Sequence, residues 1–169
     1  MPPVVDDEYE SVVHGFELAL GMVLSLSGTA KVRPGVKLSD RRDDWKQNFR
    51  ALDVALYLHD IQTDYFDPFC RGGPDFAVEV VSREDCTREK LDFCAKGGVR
   101  ELLIVDRDPW QLELLRLHGE VLKAAGTSTD AQPNTLTSEV IPFTFRLQHG
   151  EKRPAIRIAH AEIDRSWNL

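Results

Sequence analysis

The sequence predicts a mixed α/β sheet with helices packed on it. Three observations predict that class. Apolar residues recur at three- and four-residue spacing near the N-terminus, two later segments alternate apolar and polar residues, and a continuous apolar run follows a Gly-Gly pair. The chain has 169 residues, 42% hydrophobic and 29% charged, which suits one domain with a real core and excludes a wholly disordered chain.

The elements follow in order. Residues 6–27 read as a helix, because Val12, Val13, Phe16, Leu20, Val23 and Leu24 fall on one face. Asp6, Asp7 and Glu8 suit the positive end of its dipole, and Ser27-Gly28 ends it. Residues 30–37 read as a short strand interrupted at Pro34-Gly35. A polar connection follows; between 33 and 50 six Lys or Arg (Arg33, Lys37, Arg41, Arg42, Lys46, Arg50) face three Asp. Residues 51–58 and 75–82 read as strands, with an acidic loop at 59–73 between them. Residues 84–96 read as a helix, with Ser82 and Asp85 in a capping-box-like arrangement and Gly97-Gly98 as its close. Residues 101–106 read as a buried strand. RDPW at 107–110 turns the chain, and four further strand candidates follow, with His118-Gly119 as a hairpin turn. The expectation is one domain over 1–169, its core at about 31–123 and extra C-terminal strands at about 136–160.

Composition narrows function. The net charge of −7 argues against a protein that coats nucleic acid non-specifically, since phosphate binding needs clustered Lys and Arg. It does not exclude an enzyme that keeps acidic metal ligands in a cleft and its basic residues local. Cys70, Cys86 and Cys94 are odd in number and form no C-x-x-C pair, so reduced cytosolic thiols fit better than a disulfide framework or a zinc site. No apolar run is long enough for a transmembrane helix, and MPPVVDDEYE is not a secretory signal, so a cytoplasmic protein without membrane partners is expected. His14, His59, His118, His149 and His160 have no metal-ligand spacing, and no phosphate-binding Gly-rich loop or G-x-S-x-G element occurs. His59-Asp60 with Asp64 and Asp67 lacks the glycine and terminal Glu of a calcium loop.

The strand pair carries the chemistry. In 51–58 alternation puts Leu52, Val54, Leu56 and Leu58 on one face and Asp53, Ala55 and Tyr57 on the other. In 75–82 the faces are Phe76, Val78 and Val80 against Asp75, Ala77, Glu79 and Val81. An antiparallel hairpin with opposed numbers summing to about 132 sets Asp53 opposite Glu79, on a shared face. Two carboxylates so close repel unless one is protonated or a divalent cation lies between them. Asp75 is four residues from Glu79, roughly 13 Å along the strand. A single acid on a strand face is usually just solvated; here alanines leave room around the pair, and the strand leads to a helix bearing Lys90. Lys90 flanks the stripe of Leu91, Cys94 and Ala95, so its stem lies on apolar surface while its ammonium reaches out.

The run PDFAVEVVS, followed by DCTREKLDFCAKGGVRELLIVD, resembles the Uma-type restriction endonuclease family, a domain of unknown function in the PD-(D/E)XK nuclease superfamily. The resemblance is strongest over 51–106, with echoes in VRPGVKL and LTSEVIPFTFRL. It implies a restriction-endonuclease-like core and metal-dependent cleavage of DNA. Residue by residue, it matches the first acid to Asp53, the second to Glu79, and the lysine to Lys90 on the following helix, because position 81 is Val. Asp75 matches a second Pro-Asp; it is either a ligand or the residue that fixes the strand start after Pro74. A supporting acid from the first helix would be Glu10 or Glu17, which read better as surface glutamates.

The resulting expectation is a Mg2+ or Mn2+ ion held by Asp53 and Glu79, with Asp75 as a third candidate, and Lys90 orienting water or offsetting negative charge. The basic stretch would touch DNA phosphates, and a homodimer would bring two sites to two strands by analogy of fold. The alternative is a catalytically inactive nuclease-fold domain used for binding or dimerisation.

Overall fold

The computed structural model describes residues 6–41, 43–58, 64–66, 69–81 and 87–169. Helix α1 spans Asp7–Leu20, and the Asp6 carboxylate caps it by accepting the Tyr9 N–H at 2.7 Å. A π-helical turn, Gly21–Ser25, carries the buried stripe on to Leu24. Strands β1 (Ala30–Ser39) and β2 (Phe49–Leu58) pair antiparallel. The interruption expected at Pro34-Gly35 is a distortion inside one strand. Pairing runs through it, from Pro34↔Val54 to Val36↔Leu52, with Gly35 at φ +59°. A side chain there would strain the left-handed backbone that glycine adopts freely.

Two short strands, β3 (Asp64–Phe66) and β4 (Phe69–Arg71), form the sheet edge within the stretch expected as loop. Strand β5 (Phe76–Val80) is followed by a 3-10 turn, Thr87–Lys90, and helix α2, Leu91–Gly97. The Ser82 and Asp85 capping pair lies outside the described residues. Gly98 at φ +84° closes α2, and its N–H and that of Val99 return to Ala95 and Cys94 carbonyls. Strands β6 (Glu101–Arg107), β7 (Trp110–His118) and β8 (Val121–Thr129) complete a sheet of order β3-β4-β1-β2-β5-β6-β7-β8. Among the described residues only the β4–β1 and β5–β6 pairs are parallel, and the β5–β6 crossover contains α2. A second sheet holds β9 (Leu136–Thr137), β10 (Phe143–Gln148), β11 (Ala155–His160) and β12 (Ser166–Asn168).

The fold class is therefore the one expected: a mixed central sheet flanked by helices, with additional C-terminal strands. Val12, Phe16 and Leu20 of α1 bury one face with Val54, Leu56, Phe76 and Val78, and β10 and β11 close the same core. Phe145 stacks on Phe76 with ring centres 5.5 Å apart. On the other face Cys94 of α2 packs with Leu38, Leu52, Ala77, Leu102 and Ile104. Strand β6 is covered from both sides, which is why its sequence is a continuous apolar run. No described helix is long and apolar enough to cross a membrane.

A buried acid ties the two sheets together. Glu101 accepts hydrogen bonds from Arg116 (2.8 Å), from the Ser138 hydroxyl and from the Glu139 N–H (3.0 Å). Arg116 also reaches the Thr137 carbonyl at 2.6 Å. Glu101→Ala leaves those buried donors without their acceptor. We expect a loss of about 2–4 kcal/mol in urea denaturation; a loss below about 0.5 kcal/mol would show that the tie does not matter.

Cys70 and Cys94 are buried free thiols. Burial pushes the Cys94 thiol up to about 12; the Glu79 charge adds to this, and Lys90 and Arg50 oppose it. Burial also raises Cys70, against the pull of the nearby Tyr57 hydroxyl and the charge of Arg33. The native protein should leave both unmodified by iodoacetamide at pH 8, as read by mass spectrometry, and expose both in denaturant. A raised thiol keeps its proton when the unfolded chain would release it. Its contribution is therefore full below the unfolded value and is lost as pH rises through the folded one.

Candidate active site

Strands β2 and β5 pair as Val54↔Val78, Ala55↔Ala77 and Leu56↔Phe76. These numbers sum to 132, the register read from the sequence. Beyond Val54 the alternation slips. Leu52 packs with Leu38 and Ala77 on the α2 side, whereas Val54 packs on the α1 side. In a regular strand residues 52 and 54 share a face. The β1–β2 register is unbroken there, from Pro34↔Val54 to Val36↔Leu52, so no residue is inserted; the change of face falls at Asp53, level with the left-handed Gly35 of the neighbouring strand.

This corrects the expected shared face. Asp53 does not stand beside Glu79 as an ordinary cross-strand pair. Its carboxylate lies where the β2–β5 ladder ends, and one oxygen accepts the Val80 N–H at 2.8 Å. The other accepts the Tyr9 hydroxyl from α1. Glu79 immediately precedes Val80 and follows Ala77 onto the α2 side. Its carboxylate is 2% exposed and meets the Lys90 ammonium at 3.1 Å. The two acids thus flank the Val80 peptide, one toward each helix.

Lys90 sits where the 3-10 turn becomes α2. From there its ammonium reaches both Glu79 and the Ala51 carbonyl, the latter at 3.4 Å. Ala51 is two residues before Asp53 on β2. The structure therefore brings Asp53, Glu79 and Lys90 into one chain of contacts running from α1 to α2.

Asp75 lies at the other end of the same strand pair. Its carboxylate accepts the Leu58 N–H at 2.8 Å and pairs with Arg100 at 2.9 Å. Its backbone bonds to Leu56 and Glu101. Of the two roles considered for it, fixing the strand start is the one these bonds perform. Glu10 is exposed, and Glu17 lies 3.4 Å from His14 on the surface. Arg42, His59, Asp60 and Asp67 lie outside the described residues.

Sequence reasoning missed Tyr9 and Arg107. Tyr9 continues the α1 stripe at the spacing of Val12, Val13 and Phe16, so its inward face was readable, but not its partner. Arg107 donates to both Asp6 oxygens, at 2.6 and 3.2 Å, and to the Val81 carbonyl at 3.2 Å. Its guanidinium also lies 5.7 Å from the Tyr9 ring centre. It clamps the start of α1 to the end of β5, and so aims Tyr9 at Asp53. Arg107 and Asp6 lie 101 residues apart in sequence, and Tyr9 and Asp53 lie 44 apart, with no local motif to connect them.

The donors here are carboxylate and carbonyl oxygens. That set fits a hard divalent cation, which one or two protein carboxylates can hold together with water and phosphate. Among the described residues no group of three or more His, Cys, Asp or Glu is placed to hold a metal. Asp53 and Glu79 are the two carboxylates such an ion would draw on, one bonded toward α1 and the other toward α2.

The model of the Uma2 family, described as "Putative restriction endonuclease", matches residues 16–149. The chain belongs to the Uma2 family. No curated protein matches the sequence. Among solved structures, this Uma2 chain is similar to a "putative nuclease belonging to DUF820" from Anabaena variabilis. The TM-score is 0.55 and the identity 11%, over 70% of this chain and 67% of that one. At that identity the likeness speaks for the fold.

The Tyr9–Asp53 bond gives a direct test of the geometry. Tyr9→Phe keeps the ring and removes the hydroxyl. Stability should fall by about 1–2 kcal/mol in urea melts, the lower range for a hydrogen bond to a charged group. An unchanged midpoint would mean that the bond contributes nothing.

Proposed function

We propose that this Uma2 protein is a divalent-metal-dependent nuclease that hydrolyses DNA phosphodiester bonds, with Asp53 and Glu79 as metal ligands and Lys90 as the assisting cation. Family membership supports the nuclease class. The observation that carries the assignment of residues is the reach of Lys90. From the start of α2 it meets the second acid and a carbonyl of the strand that bears the first.

The residues divide the work as follows. Asp53 is held by the Val80 N–H and the Tyr9 hydroxyl, so its carboxylate is oriented before substrate arrives. Glu79 offers a second carboxylate from the adjoining strand. Bound there, magnesium or manganese would polarise the phosphate and lower the pKa of a coordinated water. Lys90 keeps a positive charge beside Glu79. Its long contact with the Ala51 carbonyl is the one it can exchange for a phosphate oxygen as negative charge develops. Asp75, in this reading, positions β5 and takes no part in metal binding. The whole of 1–169 acts as one domain, since β10 and β11 share a core with α1 and the central sheet.

The test is plasmid nicking in Mg2+ or Mn2+ with EDTA as the control. Glu79→Gln, Asp53→Asn and Lys90→Met should each lower the nicking rate by about 10²-fold or more, with circular dichroism unchanged. Equal rates in wild type and Glu79→Gln would overturn the assignment. A wild-type protein that neither nicks nor binds Mn2+ would favour the inactive binding or dimerisation domain.

A further inference from the structure

The basic stretch before β2 folds into a surface with a definite composition. After β1, the Ser39 hydroxyl donates to the Asn48 carbonyl at 2.8 Å, and the Asn48 amide donates to Asp40 at 2.8 Å. These bonds pin both ends of the connection, and a 3-10 turn, Trp45–Gln47, lies between them. Trp45 and Phe49 pack with ring centres 5.8 Å apart. The Lys37 ammonium lies 5.6 Å from each ring centre, and that of Lys46 lies 5.9 Å from Trp45. Two packed aromatic rings and two lysine ammonium groups meet here in a protein whose net charge is −7.

This surface shares strand β2 with Asp53. Arg50 lies over the Phe93 ring at 5.0 Å, and Leu52 packs in the α2-side core, so both point toward α2. By alternation Phe49, Ala51 and Asp53 line the opposite face of the same strand. Ala51 is exposed and small, and Lys37 is its cross-strand partner. A track therefore runs from the Trp45–Phe49 pair, over Ala51, to Asp53. Phe49 and Asp53 are four residues apart, roughly 13 Å along the strand.

We infer that the Lys37, Lys46, Trp45 and Phe49 surface binds single-stranded DNA and leads it along β2 to Asp53. Stacking on aromatic rings requires bases freed from a duplex, and cations beside the rings serve the flanking phosphates. A duplex presents phosphates but keeps its bases stacked inside. The charge within 33–50, six basic against three acidic residues, matches a polyanion. The choice of DNA as the polymer rests on the nuclease reading above; the preference for unpaired bases rests on the rings.

Fluorescence anisotropy in EDTA tests binding apart from cleavage. The probes are labelled oligothymidylate and a mixed-sequence duplex of equal length. Wild type should bind the single strand at least about tenfold more tightly, with quenching of tryptophan emission. Trp45→Ala should weaken single-strand binding by about tenfold or more and leave duplex binding unchanged, while Trp45→Phe keeps most of it. Lys46→Gln should weaken both and reduce the salt dependence by about one phosphate contact. Equal affinity for the two probes, or an unaltered Trp45→Ala protein, overturns this inference. Nicking is read separately. Oligothymidylate binding of this pattern without nicking would sink the catalytic reading alone, and nicking with no Trp45 effect would sink this one alone.

Discussion

The interaction on which the site depends is the hydrogen bond from the Val80 N–H to Asp53. A strand that leaves a ladder exposes backbone donors, and a buried donor without an acceptor costs about 1–3 kcal/mol. Asp53 supplies the acceptor at the place where β2 and β5 cease to pair. The strands can therefore separate there without leaving that donor unmet. The same carboxylate gains a fixed direction, because the Tyr9 hydroxyl holds its second oxygen. Arg107 in turn holds the start of α1 against the end of β5. One slip in alternation thus links the backbone, the first helix and the candidate site.

The slip also marks the limit of what the sequence displays. The period-two pattern of 51–58 and 75–82 was enough to place both strands and their register, because a one-residue shift would turn Val54, Leu56, Phe76 and Val78 away from α1. Helix α1, strand β6 and the glycine close of α2 were legible for the same local reason: burial and backbone geometry act on neighbouring residues. Strict alternation then assigned Leu52 to the wrong face. The change of face lies level with the left-handed Gly35 of the adjacent strand, and a pattern within one strand does not register it. The residues of the candidate site were therefore readable as types and positions, while the way Asp53 and Glu79 relate in space was not. Tyr9 and Arg107 escaped for the same reason, since their roles come from packing between distant segments.

Charge is distributed to match this arrangement. The acids that matter are not spread evenly over a solvated surface. Glu79, Asp75 and Glu101 are all buried, and each meets a cation: Lys90, Arg100 and Arg116 respectively. Such pairs are costly to assemble, and breaking one side leaves an uncompensated charge. Two of the three, around Asp75 and Glu101, hold strand starts and the second sheet. The pair at Glu79 differs because its lysine also touches a carbonyl of β2, so it spans the strands at the point where they part.

The placement of that lysine has a packing explanation. A residue at position 81 would follow Ala77 and Glu79 onto the α2 side of the sheet. Val81 does so, packing against the cluster that holds Ala77, Cys94 and Ile104. Its N–H pairs with Val105, and its carbonyl accepts from Arg107. A lysine there would replace a half-buried apolar side chain and remove its contacts with that cluster. From Lys90 the stem approaches along the helix start and only the ammonium enters, 21% of the side chain staying exposed. The same cation thus reaches Glu79 without disturbing the apolar contacts that seat α2 on the sheet.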